Sequence, residues 1–417
     1  MVLYNFSVFS LAMVSAMVYT LPGHTLGYWL ADLKVSKKAL GLLSISYFIH
    51  ASKILWVPFF ERIKVPFLNK ILDIRSSWIF LMMIIPSIGF FILSFRNPLQ
   101  NQYIFVSVVL LSVFCMSTMD PLLRAHFYKL SNDQNIKKIL TLGNIGFRTG
   151  LYLALNIYVL ISNFVSWNVI YRISSLFMIV ASFTIFLLPR EKEEEESNFS
   201  FKEMFIEPYR DFVSKHKQYL VSVIAIMFLF RLQDKLISPV FYCYFVELGE
   251  SLRGTISAQH MKYLFSASKI IGGFTAIAGS LASNYYLNKY SYKYNFFISA
   301  ILHSLSCLPL LLLNNFLQSQ YLIVGAILIE KTIRGFASNT FYVYQTSLCS
   351  KKYASSQLAL LSLSESFGSA LIGSCSGYAA EYLGWNYFFI LAALISLPVL
   401  LFLKALPKNL VVKKSKT

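Results

Sequence analysis

Apolar residues run along this chain in blocks of about twenty, the length a helix needs to cross a bilayer, with short polar gaps between them. Twelve such blocks are read at 6–31, 39–60, 77–95, 102–122, 140–162, 167–188, 218–246, 262–285, 295–314, 320–347, 356–382 and 385–406. Prolines and glycines interrupt several, which membrane helices tolerate when neighbouring helices re-satisfy the backbone. The longest polar segment, 189–217, follows the sixth block. It opens with Glu193, Glu194, Glu195 and Glu196, then places Phe201, Phe205, Tyr209 and Phe212 at helical spacing. That pattern predicts an acidic linker and a short amphipathic helix lying on the membrane surface. The fold class is therefore an all-α membrane protein with twelve transmembrane helices. It is organised as a six-helix bundle over 1–189, a linker over 190–217, and a second six-helix bundle with a basic tail over 218–417.

The two halves resemble each other. Ala51-Ser52-Lys53-Ile54 in the second block recurs as Ala267-Ser268-Lys269-Ile270 in the eighth. Ser166-Trp167-Asn168 opens the sixth block as Gly384-Trp385-Asn386 opens the twelfth, and the two offsets are 216 and 218 residues. Parallel repeats of six helices build one class of secondary transporter, whose substrate site lies between the halves near the bilayer midplane.

Charge refines this picture. Only 13% of the 417 residues are charged, about half the usual share of a soluble domain. The net charge of +18 sits in the gaps between apolar blocks, so it speaks for topology and anionic lipid and not for nucleic acid. One set of gaps holds Arg62, Lys64, Lys70, Arg75, Lys129, Lys137, Lys138, the basic residues of the linker, Lys351, Lys352, and the tail Lys413, Lys414 and Lys416. The opposite set holds little beyond Lys34, Lys37, Lys38, Arg96, Arg253 and Lys262. The basic set is expected to be cytoplasmic, which puts both termini there. The first apolar run lacks a charged leader and reads as a retained spanning helix. The five cysteines form no CxxC pair and read as small packing residues; no metal site or cofactor is expected. No Walker loop, nucleotide fingerprint or catalytic triad signature is present, which disfavours an ATP-driven pump and favours an ion gradient as the energy source.

Charges inside apolar blocks are costly and mark candidate functional positions. They are Lys53, Asp120, Arg148, Arg231, Asp234, Lys235, Lys269, Glu330, Lys331, Arg334 and Glu365. Lys53 and Lys269, related by the repeat, could hold an anionic solute, or each could pair with a carboxylate or snorkel to the interface. Arg148 lies between Gly146 and Gly150 in a GxxxG pattern; its planar fork suits a carboxylate or phosphate, or equally an interhelical ion pair. Asp234 and Glu330 are candidates for reversible protonation, but Arg231 three residues before and Arg334 four after could pair with them along the helix. Asp120 has Arg124 at the same spacing across Pro121. A second GxxxG pattern, Gly373 to Gly377, reads as helix packing.

Several motifs in order are similar to those of the AmpG muropeptide permeases of the major facilitator superfamily. Lys53-Ile54-Leu55-Trp56-Val57-Pro58 with Glu61-Arg62 resembles the end of that family's second span, Arg75-Ser76-Ser77-Trp78 the start of the third, and Gly146-Phe147-Arg148-Thr149-Gly150 its fifth-span motif. In the second half, Arg231-Leu232-Gln233-Asp234 resembles K-L-G-D, Lys269 falls where the eighth span carries a lysine, Glu330 with Gly335 resembles the tenth-span motif, and Gln357 to Ser362 followed by Gly384-Trp385 resembles T-Q-x-A-L-L-S and G-W. The chain departs from the pattern at Arg124, Gln233 and Ser369. The resemblance implies a monomeric carrier in the bacterial inner membrane that imports anhydro-muropeptides in cell-wall recycling, driven by protons and moving by alternating access. In that reading Lys53, Arg148 and Lys269 bind the anionic substrate, and Asp120, Asp234 or Glu330 carries the proton. The rival readings are a carrier of another anionic metabolite, a non-transporting sensor derived from a carrier, and a membrane-embedded enzyme. The enzyme would need a large extramembrane loop, and only the central linker is long.

Overall fold

The computed structural model describes residues 2–26, 29–30, 33, 49, 52–98, 100–132, 134–162, 164–191, 205–251, 258–315 and 320–405. Most of the second block, the Glu193–Glu196 run, Phe201 and the basic tail fall outside the described residues, as do the side chains of Lys269 and Ser369. The described chain is helical throughout and holds no strand. Its helices fit twelve spans arranged as two six-helix bundles. Two compact units emerge, one of Met1–Phe212 with Cys349–Leu360, the other of Val213–Leu348 with Leu361–Thr417.

In the first unit, α1 (Val2–Thr20) continues into a π-helical turn, Leu21–Thr25, that contains Pro22. The end of the second span is a 3-10 turn, Lys53–Leu55, and α2 (Val57–Phe60). Then come α3 (Ile74–Leu93), α4 (Gln102–Leu130), α5 (Ile136–Tyr152) and α6 (Trp167–Ser182). A π-helical stretch, Leu153–Ile157, extends α5. Thr25 donates its hydroxyl to Ala154 O at 3.1 Å, which joins the two π turns.

The faces of α6 show which solvent each side meets. Ser174, Ser175, Ser182, Tyr171 and Met178 are buried inside the unit, whereas Ile173, Phe177, Val180 and Phe183 are exposed. Serines on the inward face and large apolar residues on the outward one suit lipid, because hydrocarbon solvates the outer face. The GxxxG pattern of α5 brings its backbone onto α1. A Cβ on Gly150 would collide with the Met13 carbonyl oxygen, and one on Gly146 with that of Phe9.

The stripe expected on the amphipathic helix α7 (Glu207–His216) packs in part against protein. Phe212 is buried, and the Phe205 ring packs against Phe59 at 4.7 Å. Tyr209 Oη donates to Ile54 O at 3.3 Å. The polar side is also occupied by protein: Gln357 donates to Pro208 O and Asp211, Ser350 to Asp211, and Tyr353 to Glu207 at 3.0 Å. Periodicity located the apolar stripe; what covers it depends on residues remote in sequence.

The second unit holds α8 (Leu220–Leu229), α9 (Leu232–Ser251), α10 (Ala258–Lys289), α11 (Tyr292–Leu305), α12 (Leu308–Asn315) and α13 (Gln320–Leu348). A turn at Phe230 and Arg231 separates α8 from α9 within the seventh span. Helix α14 (Ala354–Ile395) is broken at Gly384, where φ is +66°, and α15 (Val399–Ala405) ends the described chain. A left-handed residue stops a helix and suits glycine, so the break falls in the gap expected between the last two spans. Gly279 and Gly335 let α10 and α13 touch through backbone. Hydroxyl and amide groups then tie three helices: Ser283 lies 2.9 Å from Thr340 Oγ1, Asn339 donates to Ser283, and Ser299 to Thr340. At Gly377 an added Cβ would meet nothing within 4 Å among the described residues.

Candidate functional site

The structure pairs two of the sequence candidates in the first unit. Lys53 is buried in the turn that ends the second span, and its Nζ lies 4.0 Å from Asp120 Oδ2 on α4. Trp56 braces that turn by donating Nε1 to Thr118 Oγ1 at 2.9 Å. Lys53 therefore has the carboxylate partner that was one of its two readings, and Asp120 reaches across to another span. Arg148 is half-buried on α5, and Arg124 is buried on α4.

A second cluster in this unit joins Glu61, Arg75 and Lys129, which the sequence marks only as motif or gap residues, to Asp73, His126 and Glu191, which it does not mark. Asp73 caps α3 by accepting from Ser76 N at 2.9 Å. Arg75 Nη1 lies 2.5 Å from Glu191 Oε1 and its Nη2 3.1 Å from Glu61 Oε1. His126 Nδ1 lies 2.7 Å and Lys129 Nζ 3.4 Å from Glu191. Glu61 in turn accepts from the backbone N–H groups of Ser355 and Ser356, at 3.1 and 3.2 Å, where α14 begins. Carboxylate at a helix N-terminus is favourable. Asp73, His126 and Glu191 could in principle ligate a divalent ion. However, Arg75 takes both oxygens of Glu191, so the grouping is an ion-pair network.

Burial alone would raise the Glu191 carboxyl, but the charges of Arg75, His126 and Lys129 outweigh it and hold the group well below the usual carboxylate range. A depressed carboxyl stabilises the folded protein above its ordinary pKa and loses that contribution as pH falls toward the folded value. Glu191→Gln is accordingly expected to lower thermal stability at neutral pH. Its deficit against the wild type should shrink below about pH 4. Melting curves of the two detergent-solubilised proteins across pH test this; a deficit independent of pH would exclude it.

The second unit holds the densest cluster of in-span charge, and here the structure adds to the local pairing suggested by spacing. Arg231 Nε lies 3.2 Å from Asp234 Oδ2, and Arg334 Nε lies 2.8 Å from Glu330 Oε1, as the i,i+3 and i,i+4 intervals imply. Arg334 Nε also lies 3.2 Å from Asp234 Oδ1, so it bridges α9 and α13. Lys331 Nζ sits 3.0 Å from Glu330 and 5.1 Å from the Phe241 ring. His303 on α11, which spacing did not single out, is buried with Nε2 3.8 Å from Asp234 and its ring stacked on Phe230. Gln233, where the resemblance leads one to expect glycine, is fully buried and donates Nε2 to Ser306 Oγ at 3.0 Å. That departure ties α9 to the end of α11. Glu365 on α14 accepts from Gln345 at 2.9 Å.

Comparison with known proteins agrees with the fold and the motifs. Residues 8–373 match the Major Facilitator Superfamily. A protein named "Putative transporter AmpG 2" from Rickettsia prowazekii is 29% identical over 405 residues, covering 96% of this chain and 95% of its own. Its namesake from Rickettsia bellii is 28% identical over 399 residues, covering 95% of each chain. The crystal structure of the human organic anion transporter MFSD10 (TETRAN) superimposes with a TM-score of 0.66, at 12% identity, over 96% of this chain and 99% of that one. At that identity the likeness concerns the fold alone.

Proposed function

The chain belongs to the Major Facilitator Superfamily, and from that premise we propose that it imports anhydro-muropeptides across a bacterial inner membrane, driven by the proton gradient, with both termini cytoplasmic. Family and fold make it a multi-pass membrane transporter of a small solute and not an enzyme. The finer reading rests on similarity to AmpG-named proteins along almost the whole chain. Within the structure, the observation that carries it is the bridge of Arg334 between Asp234 and Glu330. Carboxylates held by cations inside the membrane-spanning region are the groups a proton-coupled carrier needs.

In this reading Lys53, Arg148 and Lys269 hold the carboxylates of the muropeptide. Asp234 and Glu330 exchange the proton in the second unit, and Asp120, paired with Lys53, does so in the first. The carrier acts as a monomer in contact with anionic lipid. Uptake of labelled GlcNAc-anhydroMurNAc-tripeptide into cells lacking their own permease, with and without a protonophore, tests the proposal. Uptake abolished by the protonophore and by Asp234→Asn is the expected result. No uptake, with the protein present in the membrane, would reject the muropeptide and leave a carrier of a different anionic metabolite. Uptake retained in both Asp234→Asn and Glu330→Gln would remove those carboxylates from coupling.

A further inference from the structure

We propose that the end of the second unit where α10 turns into α11 binds the headgroup of an anionic phospholipid, through Lys289, Lys404 and the hydroxyl of Tyr285. The transport reading puts the carrier among anionic lipids without giving them a place. This site supplies one, and it does not depend on what the solute is.

The first observation is how the outward faces of three helices end. On α10, Ile271, Phe274, Ala278, Leu281 and Tyr285 are exposed and follow one another at three or four positions, so they form one stripe. An apolar stripe left uncovered on a spanning helix meets lipid tails. Lys289, also exposed, is the next position on it. Along the helix axis it stands about 12 Å beyond Leu281. On α11, Tyr294 and Phe297 begin the outward face, and on α15 exposed Leu401 is followed three positions on by exposed Lys404. Apolar surface gives way to tyrosine and lysine, the order of a helix leaving hydrocarbon for the headgroup layer. The second observation is that this end is held rigidly. Buried Asn295 donates to the carbonyls of Tyr286, Tyr290 and Ser291 at 3.0, 3.3 and 3.1 Å, which closes the turn. The Tyr286 ring stacks on Tyr290 at 5.7 Å and leans on Phe336 of α13 at 5.8 Å, and Tyr290 meets Tyr294 at 5.2 Å. Lys293 donates Nζ to Lys404 O at 3.0 Å, which fastens α15 to the same edge. Lys289 Nζ lies 5.6 Å from the Tyr290 ring and 6.0 Å from that of Tyr285. A cation already held against two rings has less freedom to lose when a phosphate arrives.

The third observation is charge. The sequence has no Asp or Glu between Glu250 and Glu330, and none after Glu381. Neither the α10–α11 turn nor the chain that leads through Lys404 into the basic tail brings a carboxylate of its own. An anionic headgroup at the membrane surface complements such an edge. Its phosphate accepts from the ammonium groups and from the Tyr285 hydroxyl, while its acyl chains lie along Leu281 and Phe274. A soluble anion would meet the lysines and leave the apolar stripe uncovered. A zwitterionic headgroup carries an amine that offsets its phosphate, so it gains less from the lysines.

The test uses the full-length protein purified in detergent, with phosphatidylglycerol and phosphatidylcholine as probes and no transport substrate. Native mass spectrometry reads the lipid retained. The wild type is expected to retain phosphatidylglycerol in preference. Lys289→Gln combined with Lys404→Gln should weaken that binding by about fivefold per lysine, the effect of one cation beside an anionic lipid surface. Lys289→Arg combined with Lys404→Arg should keep it. Lys64→Gln combined with Lys70→Gln removes the same charge from exposed positions of the first unit and should leave the preference unchanged. In the wild type, phosphatidylglycerol but not phosphatidylcholine should shield Lys289 from an amine-acylating ester, a readout that no variant's folding can disturb. Equal retention of the two lipids would overturn the site. So would a loss in the Lys64 and Lys70 variant as large as in the Lys289 and Lys404 variant, or acylation of Lys289 at the same rate in either lipid. None of these outcomes bears on muropeptide uptake, so the two proposals stand or fall separately.

Discussion

Arg334→Gln is expected to destabilise the protein by about 3 kcal/mol, the lower end of the cost of breaking a buried ion pair. Its guanidinium is the group that contacts both Asp234 and Glu330, at 3.2 and 2.8 Å. Removing it leaves two acids, one of them almost completely buried, with less positive charge than they were folded around. The lower end applies because Lys331 still lies 3.0 Å from Glu330 and Arg231 3.2 Å from Asp234. Glutamine keeps much of the volume, so the loss reports charge and not a cavity. Adding Glu330→Gln to Arg334→Gln should recover part of the stability, because the acid that was stranded is now neutral; Glu330→Gln alone should be destabilising. The four proteins of this cycle isolate the coupling between the two residues. Fluorescence-detected size-exclusion chromatography after heating gives their relative stabilities. A single variant as stable as the wild type, or a double variant no better than the sum of the singles, would mean that the bridge contributes little.

The same cluster shows where sequence reading reaches its limit. The i,i+3 and i,i+4 intervals are fixed by the helix, so Arg231 with Asp234 and Glu330 with Arg334 could be paired from spacing alone. The contact from Arg334 to Asp234 joins residues a hundred positions apart and exists only because the fold brings these points of α9 and α13 within reach of a long side chain. His303 joined no motif, and neither did His126 or Glu191; their partners are supplied by other helices. The span pattern was far more legible. It depends on apolar content within one helix, and the break between the last two spans at Gly384 fell in its expected gap. The amphipathic helix was half legible. Its stripe of Phe205, Tyr209 and Phe212 was visible, but periodicity cannot say whether lipid or protein covers a stripe, and here Phe59 and Ile54 lie against it. The GxxxG patterns carry the same lesson: the spacing marks a tight helix contact at Gly146 and Gly150, whereas at Gly377 no neighbour lies within 4 Å of an added Cβ among the described residues.

That difference makes a sharp prediction. In an open helix position, glycine to alanine stabilises by roughly 1 kcal/mol, because alanine restricts the unfolded chain and favours the helix. Gly377→Ala and Gly325→Ala, with nothing among the described residues within 4 Å of the added methyl, should be neutral or slightly stabilising. Gly150→Ala should reverse the sign. Its methyl would meet the Met13 carbonyl and lie 2.9 Å from Ala16 Cβ, and neither a backbone oxygen nor a helix-borne methyl can swing away. Relief requires α1 and α5 to part along their contact, at an overpacking cost of about 1–3 kcal/mol for alanine and more for leucine. Gly146→Ala should behave in the same way against Phe9 O and Ala12 Cβ. Because Arg148 lies between these glycines on α5, parting the helices would also shift its guanidinium, so uptake should fall along with thermal stability. If Gly150→Ala melted with Gly377→Ala and kept full uptake, the close approach of α1 and α5 would have to be given up. A selective loss at Gly146 and Gly150 would show that this pair of helices is held by backbone contact, which a single methyl is enough to break.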